Sequence, residues 1–287
     1  MKAYVMDAFA GEVFGGNQAG VVIADRPLGD ELMQRIAAEF KHSETAFLRL
    51  ENAENGEIGI RYFTPAGEVE LCGHATVASF ACLALTGRIR GGRFTAVTKA
   101  GRLGVDVSGG KVLMDMAAPR LLGGLSPEDT AALYAAYALS PDDCPEGFAP
   151  AIVSTGLADI MLPVRDRAAL LRAVQNGAEV SALSEKLHCI GVHMFAPGGG
   201  SCTAFCSNFA PLYGIPEECA TGTANAALTY YLHLHGLIRP GEENLFIQGE
   251  HMGRPSRVVS ILTEGEAGVL IRVGGGAVMS MECDIFV

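Results

Sequence analysis

Short runs in which apolar and polar side chains alternate recur along almost the whole chain. Lys2 to Asp7, Ile58 to Phe63, Phe94 to Thr98, Leu103 to Val107 and Val112 to Met116 each read as a strand. The second half repeats the texture at Asp159 to Pro163, Gly191 to Ala196, Asn244 to Gln248, Arg257 to Thr263, Gly268 to Val273 and Ala277 to Met281. Helical spacing is rarer. Leu32, Met33, Ile36, Ala37 and Phe40 share one face of a helix over Asp30 to Phe40, with Gly29-Asp30 as its start. Val77 to Leu85 and Ala224 to Leu234 are apolar helical stretches stopped by Gly87 and Gly236. The pattern predicts a strand-rich α+β chain, with Pro119 and the Gly-rich Leu121 to Ser126 stretch as a hinge between halves.

Composition narrows the functions open to such a chain. Its 287 residues, 49% of them hydrophobic, are enough for two modest cores. The net charge of -11 provides no basic field for a polyphosphate backbone, so nucleic acid is not an expected partner. No apolar run approaches the roughly 18 residues of a membrane helix, and Met1 to Asp7 lacks the basic start of a signal peptide. No membrane partner and a cytoplasmic location are the expectations. The eight cysteines form no C-x-x-C pair, and Cys202 and Cys206 lack histidines at zinc-finger spacing, so no structural metal is expected. The default role of each cysteine is a small buried hydrophobe. Gly15-Gly16-Asn17-Gln18-Ala19-Gly20 lacks the phasing of a dinucleotide-binding loop.

The exception to that default is an internal echo. Cys72-Gly73-His74-Ala75-Thr76 leads into one apolar helix, and Cys219-Ala220-Thr221-Gly222-Thr223 leads into the other. Thr76 and Thr223 are N-cap candidates, and the small residues before them let backbone amides face open space. The positive end of a helix dipole stabilises a thiolate and also binds a carboxylate, so each turn is expected to lower a thiol's pKa and anchor substrate. Two such turns, presented to opposite faces of one carbon, suit stereoinversion: one thiolate removes a proton and the opposite thiol returns one. The bland alternative is that both cysteines pack under helix starts. A third acid/base candidate is Glu44 in Ser43-Glu44-Thr45-Ala46-Phe47, set against apolar neighbours, and His74 lies inside the first cysteine turn. For these the alternatives are an exposed strand-end glutamate and a hydrogen-bonded structural histidine.

Several segments together resemble the phenazine-biosynthesis PhzF family. They are Asp7-Ala8-Phe9, Phe14 to Val22, Ser43 to Phe47, Arg61-Tyr62-Phe63-Thr64-Pro65, Cys72 to Thr76, Phe209-Ala210-Pro211, Pro216 to Gly222, Gln248-Gly249 and Gly253 to Ser256, in the family's order. The resemblance implies the diaminopimelate-epimerase fold: two pseudo-symmetric lobes, each a curled mixed β-sheet around a central helix. Residues 1–118 would form the first lobe, joined by a returning strand over about 277–287, and residues 119–276 the second. It also implies that Glu44 is a proton shuttle supported by His74, and that the chain forms a homodimer. Two departures stand out. Where the family reads E-D-P-A-T-G the chain has Glu217-Glu218-Cys219-Ala220-Thr221-Gly222, and Ser207-Asn208 replaces the usual arginine before F-A-P. Cys72 and Cys219 fall where the related diaminopimelate epimerases and proline racemases carry their catalytic cysteine pair.

The leading expectation is a cofactor-independent isomerase that racemises or epimerises a small carboxylate metabolite. Cys72 and Cys219 would be the couple, with Glu44 and His74 nearby, and Gly73, Ala75, Thr76, Glu218, Gly222, Thr223, Asn17 and Ser43 would hold substrate. Neither a metal nor pyridoxal phosphate is implied, since no residues specify a lysine and phosphate site. One alternative is an allylic or ring isomerase using Glu44 and His74 alone, resembling trans-2,3-dihydro-3-hydroxyanthranilate isomerase. Another is a metabolite-binding protein without catalysis.

Overall fold

Residues 1–266 and 268–287 are described by a computed structural model. Each alternating run named above is a strand, Met116 alone falling just past the end of its own, and the helix Asp30–Phe40 has the bounds its periodicity predicts. The fold is α+β. Among the described residues no helix is long and apolar enough to cross a membrane. Two compact units form: Met1–Asp115 with Gly274–Val287, and Met116–Val273.

In the first unit Lys2–Ala8 pairs antiparallel with both Ala277–Asp284 and Asn17–Ile23. The chain then crosses over through the helix Asp30–Phe40 to lay Thr45–Arg49 parallel to Asn17–Ile23. A hairpin leads to Glu57–Phe63, and a second crossover through the helix Gly73–Leu85 makes Gly92–Thr98 parallel to it. Gly101–Ser108 and Lys111–Asp115 complete the sheet by antiparallel pairing. The helix Gly73–Leu85 has no polar stripe, and every residue from His74 to Leu83 is buried. An element apolar all round must be enclosed. The sheet encloses it by curling, since the helix packs against strands at both ends of the strand order, Ala277–Asp284 and Lys111–Asp115, as well as those between.

The second unit repeats the plan. Arg120–Gly124, Ala151–Ser154 and Ala158–Pro163 run antiparallel. Helices Arg167–Arg172 and Gly177–Lys186 then carry the chain to Gly191–Pro197, parallel to Ala158–Pro163. A hairpin gives Ala204–Ala210, the helix Gly222–Leu234 crosses over to Glu243–Gln248 in parallel, and Ser256–Gly265 pairs antiparallel with that strand. Crossover, hairpin, crossover, hairpin is thus the order in both units. The short strands Glu68–Val69 and Ile215–Glu218 precede the two central helices at equivalent places, each antiparallel to the strand before the crossover.

Part of this was not expected. The Gly-rich segment read as a hinge is the strand Arg120–Gly124, with Leu121 and Leu122 exposed. Its alternation is invisible because no face of it is buried. The helix Pro127–Ala135 also lacks an apolar stripe; it is set by its cap, the Ser126 side chain accepting from the Asp129 amide 3.0 Å away.

Phe80 tests the enclosure of the first central helix, because it is fully buried, with its ring centroid 5.8 Å from that of Phe94. Phe80→Ala is predicted to destabilise the protein by about 3–5 kcal/mol in urea unfolding. Leu85→Ala, at the exposed end of the same helix, should stay within about 0.5 kcal/mol. Equal effects would show that the helix is not wrapped as described.

Candidate active site

Both central helices begin without a side-chain cap. Cys72 occupies the cap position of Gly73–Leu85 in extended backbone (φ -141°, ψ 118°), and Thr221 that of Gly222–Leu234 (φ -129°, ψ 104°). The expected caps Thr76 and Thr223 are not caps. Thr76 is the fourth helical residue, where its hydroxyl donates to the Cys72 carbonyl at 2.7 Å and lies 2.6 Å from the buried Tyr62 hydroxyl. Thr223 is the second helical residue, and its carbonyl accepts from Thr155 Oγ1 at 3.0 Å. Thr76 is also excluded as an amide donor to substrate, because its N–H already closes the first helical turn on Cys72 O at 3.0 Å. The amides that an α-helix leaves over are the earlier ones: Gly73, His74 and Ala75 here, Gly222, Thr223 and Ala224 in the second unit. The two cysteine turns are therefore not in register. Cys72 is at its cap, whereas Cys219 precedes Thr221 by two residues.

In the first unit the fold gathers four expected residues. Ser43 and Glu44 sit just before the strand Thr45–Arg49, fixed there because the Gly20 amide donates to the Glu44 carbonyl at 3.1 Å. A Cβ at Gly20 would lie 2.8 Å from Thr45 Oγ1, so a larger residue there would push the Thr45 side chain aside. The His74 ring, 6% exposed, reaches all three other side chains. Its Nδ1 is 3.4 Å from Cys72 Sγ, and its Nε2 is 3.3 Å from Ser43 Oγ and 3.2 Å from Glu44 Oε2. Glu44 Oε2 is buried and lies off the ring N–H direction, so its contact with His74 is electrostatic and no hydrogen bond satisfies it. Ring, thiol and carboxylate can exchange a proton through one imidazole. The same three offer ligand atoms that all lie within 4.8 Å of one another, a set able to hold a metal ion. Asn17 is buried at the start of the strand Asn17–Ile23, opposite Ala8. It joins the same sheet, three residues before Gly20.

In the second unit a buried polar network holds the Cys219 turn. Gln248 is its centre: Oε1 accepts from the Thr221 amide at 3.2 Å and from Asn225 Nδ2 at 2.7 Å, while Nε2 donates to the Glu218 carbonyl at 2.7 Å. Thr221 Oγ1 donates to Glu218 Oε2 at 2.5 Å, so this expected substrate ligand is tied into its own turn. Gly249, at φ +83°, lets the next residue pass under the cysteine; a Cβ there would meet Arg254 O at 2.6 Å and Cys219 O at 2.7 Å. Asn208 Oδ1 meets His193 Nδ1 at 3.0 Å, and burial lowers that histidine to about 4, keeping it neutral. The buried carboxyl of Asp159 is pushed up to about 7 by desolvation and then by Glu218. Sequence reading missed His193, Asn208, Asn225, Gln248, Arg254 and Asp159 as site-forming residues. Gln248-Gly249 and Arg254 carried a signal as pieces of the family resemblance, and Asn208 as a departure from it.

A family model described as phenazine biosynthesis-like protein, PhzC-PhzF, matches residues 6–283. The chain belongs to this family. An uncharacterized isomerase, YddE, of Salmonella typhimurium is 35% identical over 257 residues, covering 88% of the chain and 86% of its own length. A PhzF-family phenazine biosynthesis protein of Bacillus anthracis superposes with a TM-score of 0.88 at 25% identity, covering 100% of the chain and 99% of that structure. A probable proline racemase of Agrobacterium radiobacter shares the fold, with a TM-score of 0.63 at 13% identity over 100% of the chain and 93% of its own. The protein is thus an isomerase of the PhzF family with the diaminopimelate-epimerase type of fold.

One expectation about this PhzF-family chain is reversed. The Cys219 thiol is not lowered by its helix; burial, and next the negative Glu218, push it up to about 11, and Arg254 beside it offsets this only in part. Alkylation of Cys219 is accordingly predicted to accelerate about tenfold per pH unit from 7 to 10 without levelling, since only the thiolate reacts. Peptide mass spectrometry after a small haloacetamide pulse reads the rate. A plateau below pH 9 would contradict the raised thiol.

Proposed function

We propose that the protein is a cofactor-independent racemase or epimerase of a small carboxylate metabolite, in which the Cys72 and Cys219 turns address opposite faces of one carbon. The observation that carries this reading is the His74 ring held between Cys72 Sγ at 3.4 Å and Glu44 Oε2 at 3.2 Å. His74 takes the thiol proton of Cys72. The thiolate then abstracts the proton on the carbon beside the substrate carboxylate, and the electron pair of the broken C–H bond moves into that carboxylate. The amides of Gly73, His74 and Ala75 and of Gly222, Thr223 and Ala224 stabilise the doubly charged oxygen pair so formed. Cys219, still a thiol at neutral pH because its pKa is pushed up to about 11, returns a proton to the opposite face. The resting pair is then one thiolate and one thiol, as a two-base inversion requires. In the reverse direction the roles exchange, with Arg254 beside Cys219 supporting its thiolate.

A second reading keeps the chemistry in the first unit. The buried Glu44 Oε2 without a hydrogen bond favours a carboxylate that shuttles a proton along an allylic or ring system, with His74 supporting it and both thiols as bystanders. Substitution separates the two. With α-proton exchange into deuterium oxide as the assay, across amino acids and hydroxyanthranilate-like rings, Cys72→Ser and Cys219→Ser are predicted to lose at least about 10²-fold, the scale of one acid/base group. Glu44→Gln should retain measurable exchange. Dead Glu44→Gln beside active cysteine variants would select the second reading, and full activity in all three would remove both.

A further inference from the structure

The Glu44, Cys72 and His74 side chains have an arrangement that the proton-transfer reading does not require. Their ligand atoms fall within 4.8 Å of one another. A tetrahedral zinc ion, with bonds of about 2.3 Å to sulfur and about 2.0–2.1 Å to nitrogen and oxygen, spaces sulfur from nitrogen by about 3.6 Å and nitrogen from oxygen by about 3.3 Å. Here Cys72 Sγ is 3.9 Å from His74 Nε2, and that nitrogen is 3.2 Å from Glu44 Oε2. The sulfur is closer still to Nδ1, at 3.4 Å, so the ring stands between thiol and carboxylate, and the imidazole must turn about its Cβ–Cγ bond for one nitrogen to face both before the three can close on an ion. The carboxylate oxygen that would turn to the metal is the buried Glu44 Oε2, which has no hydrogen bond to give up. A thiolate, a carboxylate and a neutral imidazole supply two negative charges, enough to balance a divalent cation. Sulfur and imidazole select zinc-like ions over magnesium or calcium.

We infer that Glu44, Cys72 and His74 form a binding site for a thiophilic divalent cation, zinc by preference, and that its occupation switches the isomerase off. The metal takes the lone pairs of the thiolate, imidazole and carboxylate at once, leaving no base to receive the substrate proton. Binding stands on the clustering and donor chemistry of these three side chains; the inhibition rests on the function proposed above.

Cobalt(II) is the probe, because a thiolate ligand gives it a sulfur-to-metal charge-transfer band. Chelator-stripped full-length protein titrated with cobalt should develop the band at one equivalent per chain, and zinc should abolish it. Cys72→Ala should remove the band, with circular dichroism to check folding, while Cys283→Ser, an exposed cysteine elsewhere, should keep it. His74→Ala and Glu44→Gln should each weaken cobalt binding at least tenfold. No band, a band that survives Cys72→Ala, or one lost with Cys283→Ser would overturn the site. In the exchange assay one equivalent of zinc should abolish turnover, and chelator should restore it. Cobalt bound through Cys72 with exchange undiminished would refute the inhibition and the catalytic role of Cys72. Cys72-dependent exchange without any metal binding would refute the site and leave the proposed function standing.

Discussion

A helix with no polar face has to be surrounded, and a sheet that surrounds it must curl. That constraint sets most of what is seen here. Because Gly73–Leu85 is buried from His74 to Leu83, only its two ends approach anything but the core, and the first turn is the end with unused amides. There Cys72 carries the sulfur and the leftover amides point outward. The strand that follows Glu44 is one of those wrapping the helix, so enclosure itself delivers a carboxylate to the imidazole of His74. The site in this unit follows from the core. It was not added to it.

The second unit solves the same problem with a different first turn. Gly222–Leu234 is wrapped in the same order of crossover and hairpin, yet its thiol precedes the cap by two residues and its amides are organised from behind by Gln248. One cysteine has an imidazole beside it; the other has Glu218 and burial, which keep it protonated. A repeated backbone plan has therefore produced two chemically unlike sulfurs. An inversion needs that inequality at the start of each turnover, one partner able to take a proton and the other holding one.

Much of the fold could be read from the sequence, for a physical reason. Strands with one buried face must alternate, so runs such as Ile58 to Phe63 and Arg257 to Thr263 announce themselves, as does the striped helix Asp30–Phe40. Arg120–Gly124 did not, because an exposed edge strand has no face to mark. In the candidate site, the cluster of Glu44, Cys72 and His74 was legible through local motif. Their partners were not: the Gln248 network and the pairing of Asn208 with His193 join residues 15 to 30 positions apart. No local pattern encodes such contacts. The threonines were misread as caps because their spacing from the cysteines suited the role, while the backbone placed Cys72 and Thr221 there instead.

We propose that two thiols, one from each unit, act on a single substrate carbon. Mild oxidation of the native protein followed by non-reducing peptide mapping tests it most directly. The account predicts a Cys72–Cys219 disulfide formed in preference to any other pairing among the eight cysteines, and protection from it by a bound carboxylate substrate. Oxidation that leaves Cys72 and Cys219 unlinked, while either pairs elsewhere, would contradict it.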